Sequence, residues 1–117
     1  MTWVDGDFGV AGSLARVLDD IQAERIAQDA RWGIQDLPDG TSPADASVAE
    51  TAKKATADAA ADGTLTWCHI LIEEVLEAFA EADPDRLRAE LVQVAAVATK
   101  WIQALDRRSG LPAAGEL

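Results

Sequence analysis

The segment LIEEVLEAF, residues 71–79, places three glutamates among large apolar side chains. Its apolar residues recur at the three- and four-residue spacing of one helix face. On a helical wheel Glu73, Glu74 and Glu77 spread over the opposite arc. The segment therefore predicts an amphipathic helix whose acidic arc is either a solvated surface or a set of ligands.

Signals for helix starts lie on both sides of this segment. Thr64 or Thr66 is a suitable cap for a helix at about 66–82. Asp83, followed by a proline, is a suitable start for another helix at about 84–108. Because the break between the two helices is short, the sequence predicts that they form an antiparallel hairpin.

Two further helices are predicted earlier in the chain. Ser13 can cap a helix at about 14–31, and one side of that helix has the spacing of a buried stripe, made of Leu14, Val17, Leu18 and Ile21. An alanine-rich helix begins near Ser42 and ends at Gly63. No useful stretch alternates as a strand does, so the predicted fold class is all-α.

Length and composition agree with a small soluble domain. The 117 residues predict one all-α domain over 1–117, with a loose N-terminal arm at 1–12 and a flexible tail at 109–117. A single cysteine excludes an internal disulfide framework and favours a reducing compartment, so we expect a cytoplasmic protein. We expect no signal peptide and no membrane span, because the uncharged runs are far shorter than about 20 residues.

The charge balance narrows the classes of partner. Ten basic and 21 acidic residues give a net charge of −11. A nucleic-acid backbone would be repelled by such a chain, so no nucleic-acid partner is expected. Acidity of this degree favours a protein that collects divalent cations or one that imitates a polyanion, and it is also compatible with solubility alone.

The predicted last helix carries one carboxylate beside an apolar face. Its uncharged run LVQVAAVAT, residues 91–99, indicates a helix covered on most sides. Its predicted buried face consists of Leu87, Leu91, Val94, Ala98, Trp101 and Leu105. Glu90 lies at the edge of that face, where a carboxylate is costly unless it is paired or bound to a metal. Arg86, four residues earlier, is a local candidate for pairing.

In the predicted hairpin, two pairs of oxygen donors face each other. Glu74 and Glu77 are three residues apart and project from one strip, and Glu90 and Gln93 repeat the spacing on the neighbouring helix. Four oxygen donors from two helices suit a hard cation such as Mg²⁺. Packed carboxylates repel one another, so such a cage would be strained without a cation.

The pattern E-E-x-x-E followed by E-x-x-Q resembles the MazG-like nucleoside triphosphate pyrophosphohydrolase superfamily, whose signature is E-E-x-x-E followed by E-x-x-D. The resemblance covers about 66–105. It implies a four-helix MazG-like bundle that forms a homodimer or homotetramer and uses Mg²⁺, with Mn²⁺ as a substitute. The implied reaction cleaves a nucleoside triphosphate or related nucleotide to a monophosphate and pyrophosphate.

The resemblance also implies roles for individual residues. The implied metal ligands are Glu74, Glu77, Glu90 and Gln93, and Glu73 would position or deprotonate the attacking water. Gln93 stands where the family has an aspartate, and its amide lacks the carboxylate charge. Two alternatives therefore remain open, namely a nucleotide-binding relative with weak or no catalysis, and an acidic helical interaction module.

Four residues outside the acid motif have competing interpretations. Trp32 lies in a polar segment and could stack on a nucleobase or plug one end of the bundle. Lys100 could reach a phosphate or be a solvated lysine. We expect His69 to form hydrogen bonds at a helix end rather than to act in catalysis, and Cys68 to be a small core residue.

Overall fold

The structure, a computed structural model, describes residues 6–110. Within that range the chain forms four α-helices and a short 3₁₀ helix, and none of it is a strand. In chain order these elements are α1 (Ser13–Trp32), the 3₁₀ helix (Pro43–Asp45), α2 (Ala46–Asp62), α3 (Trp67–Phe79) and α4 (Pro84–Ser109). The all-α prediction is confirmed for the described residues.

The chain divides into two compact units. The division falls after Leu37 and again before Thr99, so the described parts are 6–37 with 99–110, and 38–98. The prediction of a single domain over 1–117 stays a prediction. Residues 1–5 of the predicted arm and residues 111–117 of the predicted tail lie outside the described residues.

In the first unit, α1 is capped by Asp7 and not by Ser13. The Asp7 carboxylate accepts hydrogen bonds from the N–H of Gly12 at 3.2 Å and from the N–H of Leu14 at 2.9 Å. Gly12 occupies the cap position with a φ of 79°, a left-handed conformation that glycine adopts easily. The Ser13 prediction is wrong because Ser13 already belongs to the helix and an acid from upstream satisfies the helix start.

Gln103 connects the segment before α1 to α4. Its side-chain amide donates to the carbonyl oxygen of Gly6 at 2.7 Å and to the hydroxyl of Ser13 at 3.1 Å. Gln103 is buried, as a polar side chain can be when its hydrogen bonds are satisfied. Residues 6–12, predicted as part of a loose arm, are therefore held in place by hydrogen bonds to α1 and α4.

The predicted apolar stripe of α1 is only partly buried. Val17 is fully buried, whereas Leu18 is 49% exposed and Ile21 is 36% exposed. All residues from 18 to 32 are exposed, because no other described residue packs over that part of the helix. The spacing predicted the helix correctly within one residue at each end, but it overestimated the length of the buried face.

In the second unit, Ser42 starts the helical segment as predicted, but as the cap of a short 3₁₀ helix, and α2 begins at Ala46. The Ser42 hydroxyl accepts a hydrogen bond from the N–H of Ala44 at 3.1 Å, and the 3₁₀ helix leads directly into α2. Gly63 ends α2 in a left-handed conformation with a φ of 75°. The predictions for Ser42 and Gly63 are confirmed.

Helices α2 and α3 pack against each other in opposite directions. The Ser42 N–H donates to the carbonyl of Phe79, at the end of α3, at 2.9 Å. The Thr56 hydroxyl donates to the carbonyl of His69, near the start of α3, at 3.1 Å. The small side chain of Ala49 is buried on α2, as is suited to close helix approach.

The boundaries and the burial of the last two helices differ in part from the prediction. Helix α3 ends at Phe79 rather than near 82, and α4 ends one residue later than predicted. Leu87 is buried as expected, but Leu91 is 49% exposed and Leu105 is 45% exposed. The prediction of a helix covered on most sides is wrong for this chain alone, because no described residue covers those side chains. None of the described helices has the combined length and apolarity to cross a bilayer.

Candidate metal centre

Helix α3 is fixed at its first turn by a reciprocal cap. The Thr66 hydroxyl accepts a hydrogen bond from the backbone N–H of His69 at 3.3 Å. In return His69 Nδ1 accepts from the backbone N–H of Thr66 at 3.1 Å. The predictions that Thr66 caps the helix and that His69 bonds at a helix end are confirmed. Cys68 is exposed, so its prediction as a core residue is wrong, because the first turn of α3 leaves it facing solvent.

Helix α4 starts from a second cap. The Asp83 carboxylate accepts a hydrogen bond from the N–H of Arg86 at 3.0 Å, and Pro84 occupies the first helical position. Leu87 follows in the first turn and is buried. Glu90 lies one helical turn after Leu87, so the side of α4 that Leu87 buries also directs Glu90 toward the protein.

The two helices bring three carboxylates together. One carboxylate oxygen from each of Glu74, Glu77 and Glu90 lies within 4.8 Å of the others. All three residues are half-buried. The acids of α3 and α4 therefore converge instead of facing solvent separately. These three residues are referred to below as the carboxylate cluster. The antiparallel hairpin of these two helices stays a prediction.

Two oxygens of the carboxylate cluster are buried without a hydrogen-bond donor. They are the Oε2 atoms of Glu74 and Glu90. Buried polar atoms in folded proteins are usually hydrogen-bonded, because losing hydration without a replacement costs free energy. A bound cation or a proton would satisfy these two oxygens.

The environment of the cluster raises the pKa of two of its acids. Burial raises the pKa of Glu74, and the negative charges of Glu90 and Glu73 raise it further. Burial likewise raises the pKa of Glu77, with added repulsion from Glu74, Glu73 and Glu90, while Lys53 acts in the opposite direction. The cluster is thus a region of unbalanced negative charge that a divalent cation would neutralise.

The donor set fits a hard divalent cation. Carboxylate oxygens are the ligands that Mg²⁺ and Ca²⁺ prefer in proteins, and Mg²⁺ retains several waters beside a few carboxylates. Glu74, Glu77 and Glu90 can supply one oxygen each, and the two buried oxygens without donors are consistent with that use. Neither thiolate nor imidazole belongs to the cluster, so a soft or borderline metal is less suited to it.

Glu73 and Gln93 flank the cluster in different ways. Glu73 is half-buried, and its charge acts on both Glu74 and Glu77, so it lies beside the cluster. Gln93 lies one turn beyond Glu90 on α4 and is exposed. An exposed side chain can move to offer its carbonyl oxygen, so the metal-ligand role of Gln93 stays a prediction.

The other two predicted site residues belong to the first unit. Trp32 is the last residue of α1 and is 59% exposed, and the Arg31 guanidinium lies 4.7 Å from the centre of its ring. A ring this exposed is not buried as a plug within the described chain. The Lys100 ammonium lies 5.6 Å from the centre of the Phe8 ring. Roles for Trp32 and Lys100 in substrate binding stay predictions.

The chain matches no family model, no curated protein and no solved structure. Within the chain itself, the acid motif and the carboxylate cluster involve the same three residues. The first is a property of the sequence, and the second is a property of the fold. Both assign Glu74, Glu77 and Glu90 to the same place.

Sequence reasoning did not single out Lys53. This lysine belongs to α2, and its positive charge acts on Glu77 of α3. A signal was present in the two adjacent lysines at 53 and 54 within an alanine-rich helix. Which of the two faces α3 depends on the register between α2 and α3, and that register follows from contacts rather than from composition.

Proposed function

We propose that this chain is a Mg²⁺-dependent nucleoside triphosphate pyrophosphohydrolase with a MazG-like bundle. The observation that carries the proposal is the carboxylate cluster, in which acids from two helices approach within 4.8 Å. An ordinary solvated acidic face would keep its carboxylates apart, since like charges repel. The E-E-x-x-E and E-x-x-Q spacing that produces the cluster supports the same assignment.

In this proposal the residues around the cluster have distinct tasks. Glu74, Glu77 and Glu90 would hold the cation, and a bound Mg²⁺ would neutralise and orient the phosphate chain. Glu73, beside the cluster but outside the ligand set, orients the attacking water and accepts a proton from it.

The resemblance implies roles for three further residues, each considered by itself. Gln93 contributes an amide oxygen in place of a carboxylate, Trp32 offers an exposed ring to a nucleobase, and Lys100 offers a positive charge to a phosphate. Base stacking on an exposed indole and phosphate binding by lysine are both common in nucleotide sites. These assignments follow the resemblance more than the geometry.

Self-association into a homodimer or homotetramer is part of the proposal. Several large apolar side chains of the second unit are exposed to solvent, and a partner could cover them. They are Ile72 (52%), Phe79 (48%), Leu91 (49%) and Val92 (54%). Exposed apolar area on this scale often marks a protein interface. A second copy of the chain is the occupant that the resemblance implies.

Release of pyrophosphate tests the proposed function. The purified chain is incubated with Mg²⁺ and each of the common ribo- and deoxyribonucleoside triphosphates, and pyrophosphate and monophosphate are quantified. We expect release with at least one nucleotide, and we expect Glu77→Gln to lower kcat/KM by 100-fold or more. Glu50→Gln removes the same charge from an exposed position on α2 and serves as the matched control.

Two outcomes would favour the alternatives. Nucleotide binding that depends on Mg²⁺ and Glu77, but without pyrophosphate release, would indicate the binding-only relative. If neither Mg²⁺ nor any triphosphate binds, the acidic interaction module is the better description. Equal rates in Glu77→Gln and Glu50→Gln would separate the activity from the cluster and contradict the proposal.

A further inference from the structure

Lys53 lies on the side of α2 that faces α3. It is four residues after the buried Ala49 and three before Thr56, so all three share one side of the helix. Thr56 itself is tied to α3 through the carbonyl of His69 at 3.1 Å. The two helices run in opposite directions. Lys53, one turn before Thr56 on α2, therefore lies at the level of the turn that follows His69 on α3 and leads to Glu73.

The charge of Lys53 reaches the carboxylate cluster without closing an ion pair. Its position on the α3-facing side of α2, one turn before Thr56, brings this flexible side chain to the level of Glu73, which lies beside the cluster. Among the described residues, no ion pair within 4.0 Å joins Lys53 to Glu77, whereas the adjacent Lys54 pairs with Asp58 at 2.7 Å. Lys53 is therefore near the cluster, and its ammonium is not held there by an ion pair with Glu77.

A polyphosphate needs more positive charge than one cation provides at this site. Three ligand carboxylates and one divalent cation sum to one net negative charge, and Glu73 adds another. A triphosphate approaching that site would meet repulsion that a nearby ammonium can offset. Lysine serves this purpose in many phosphate sites as a compact charge on a flexible stem.

We propose that Lys53 binds the phosphate chain of a nucleoside triphosphate held at the carboxylate cluster, an inference that rests on the proposed function. The ammonium reaches the nonbridging phosphate oxygens from α2, while Glu74, Glu77 and Glu90 act from α3 and α4. Lys53 thereby gives the site affinity for the polyphosphate and not only for the cation. Mononucleotides, which carry fewer phosphate oxygens, gain less from this contact.

The test compares Lys53→Gln with Lys54→Gln in the full chain. Both changes remove one positive charge from neighbouring positions of α2, but Lys54 is directed toward Asp58. Calorimetric titrations measure the binding of Mg²⁺ alone, and then of α,β-methylene triphosphates of the common nucleosides in excess Mg²⁺. Lys53→Arg is included because it keeps the charge, and circular dichroism verifies that each variant is folded.

We expect Lys53→Gln to weaken triphosphate binding tenfold or more, with Mg²⁺ binding unchanged or slightly tighter. Lys54→Gln should stay within twofold of the wild type for both ligands, and Lys53→Arg should recover most of the affinity. Equal triphosphate affinities for Lys53→Gln and Lys54→Gln, with the wild type binding normally, would overturn the role of Lys53 alone. A wild-type chain that binds neither ligand would overturn the proposed function and this inference together.

Discussion

Glu74 on α3 and Glu90 on α4 each turn one carboxylate oxygen into the protein, where neither oxygen receives a hydrogen bond. The same two carboxylates repel each other closely enough that Glu90 helps to raise the pKa of Glu74. Such an arrangement is unfavourable for a purely structural protein, because both burial and repulsion cost free energy. A cation at the cluster would relieve both costs.

Mg²⁺ should stabilise the folded chain through the carboxylate cluster. A ligand that binds only the native state adds about 2.7 kcal/mol at a concentration of 100 times its Kd. We expect the melting temperature to rise with Mg²⁺, and we expect Glu90→Gln to abolish most of that rise. Glu50→Gln should preserve it. An equal rise in both variants would indicate nonspecific screening of the net charge.

Without metal, the cluster should make stability depend on pH. The pKa values of Glu74 and Glu77 are raised above their ordinary value of 4.5, so the folded state binds their protons more tightly than the unfolded state does. Their favourable contribution is complete below the unfolded pKa and is lost as pH rises through the folded pKa. Metal-free protein should therefore lose stability as pH rises through a window that begins near 4.5 and extends to the raised pKa values.

A pair of double variants isolates this effect from the net charge. Glu74→Gln with Glu77→Gln should flatten the pH dependence of the free energy of unfolding, measured by urea denaturation in a chelating buffer. Glu50→Gln with Asp62→Asn removes the same charge from exposed positions and should leave most of the slope. If both double variants flatten the slope equally, long-range repulsion rather than the cluster is responsible.

Gln93→Asp should strengthen metal binding and increase turnover. The substitution adds a carboxylate one turn beyond Glu90 on α4, and carboxylates are ligands that Mg²⁺ prefers. We expect a tighter Kd for Mg²⁺ in calorimetry and at least a fivefold higher kcat for pyrophosphate release. Ala96→Asp adds the same charge one turn further along and should do neither. Unchanged values for Gln93→Asp would show that the amide is not the limiting feature.

The cap of α3 should contribute measurably to stability. Removing a helix cap costs about 0.5–2 kcal/mol, so Thr66→Ala and His69→Ala should each lower the free energy of unfolding by an amount in that range. Because the two side chains bond reciprocally, the double variant should cost less than the sum. Urea denaturation measures all three. Thr51→Ala, which removes an exposed hydroxyl inside α2, is the control.

Local signals predicted the helices well because their causes are local. Caps at Thr66 and Asp83, the stop at Gly63 and the spacing of apolar residues depend on neighbours a few positions away. Ser13 failed as a cap because its competitor, Asp7, acts from outside the helix. The apolar periodicity also predicted more buried residues on α1 and α4 than the structure has. A periodic pattern shows which face of a helix can be buried, but not whether other parts of the chain pack against it.

The candidate site was predictable as far as it depends on helix geometry. The spacing of Glu74 and Glu77 places them on one strip, and the short break before α4 predicts that Glu90 approaches them, as it does. The position of Lys53 was not predictable, because it depends on the register in which α2 packs against α3. That register is set by long-range bonds such as the one between Thr56 and His69.

Because the cap at Asp83 fixes where α4 starts, the number of residues between that cap and Glu90 decides which way Glu90 points. One extra residue inserted between 86 and 89 would turn Glu90 by about 100° around the helix and carry its carboxyl away from α3. The same insertion in residues 34–41, which belong to no helix or strand and precede the 3₁₀ helix, would leave that angle unchanged. Natural variants of this chain should therefore tolerate insertions and deletions there and not in the first two turns of α4.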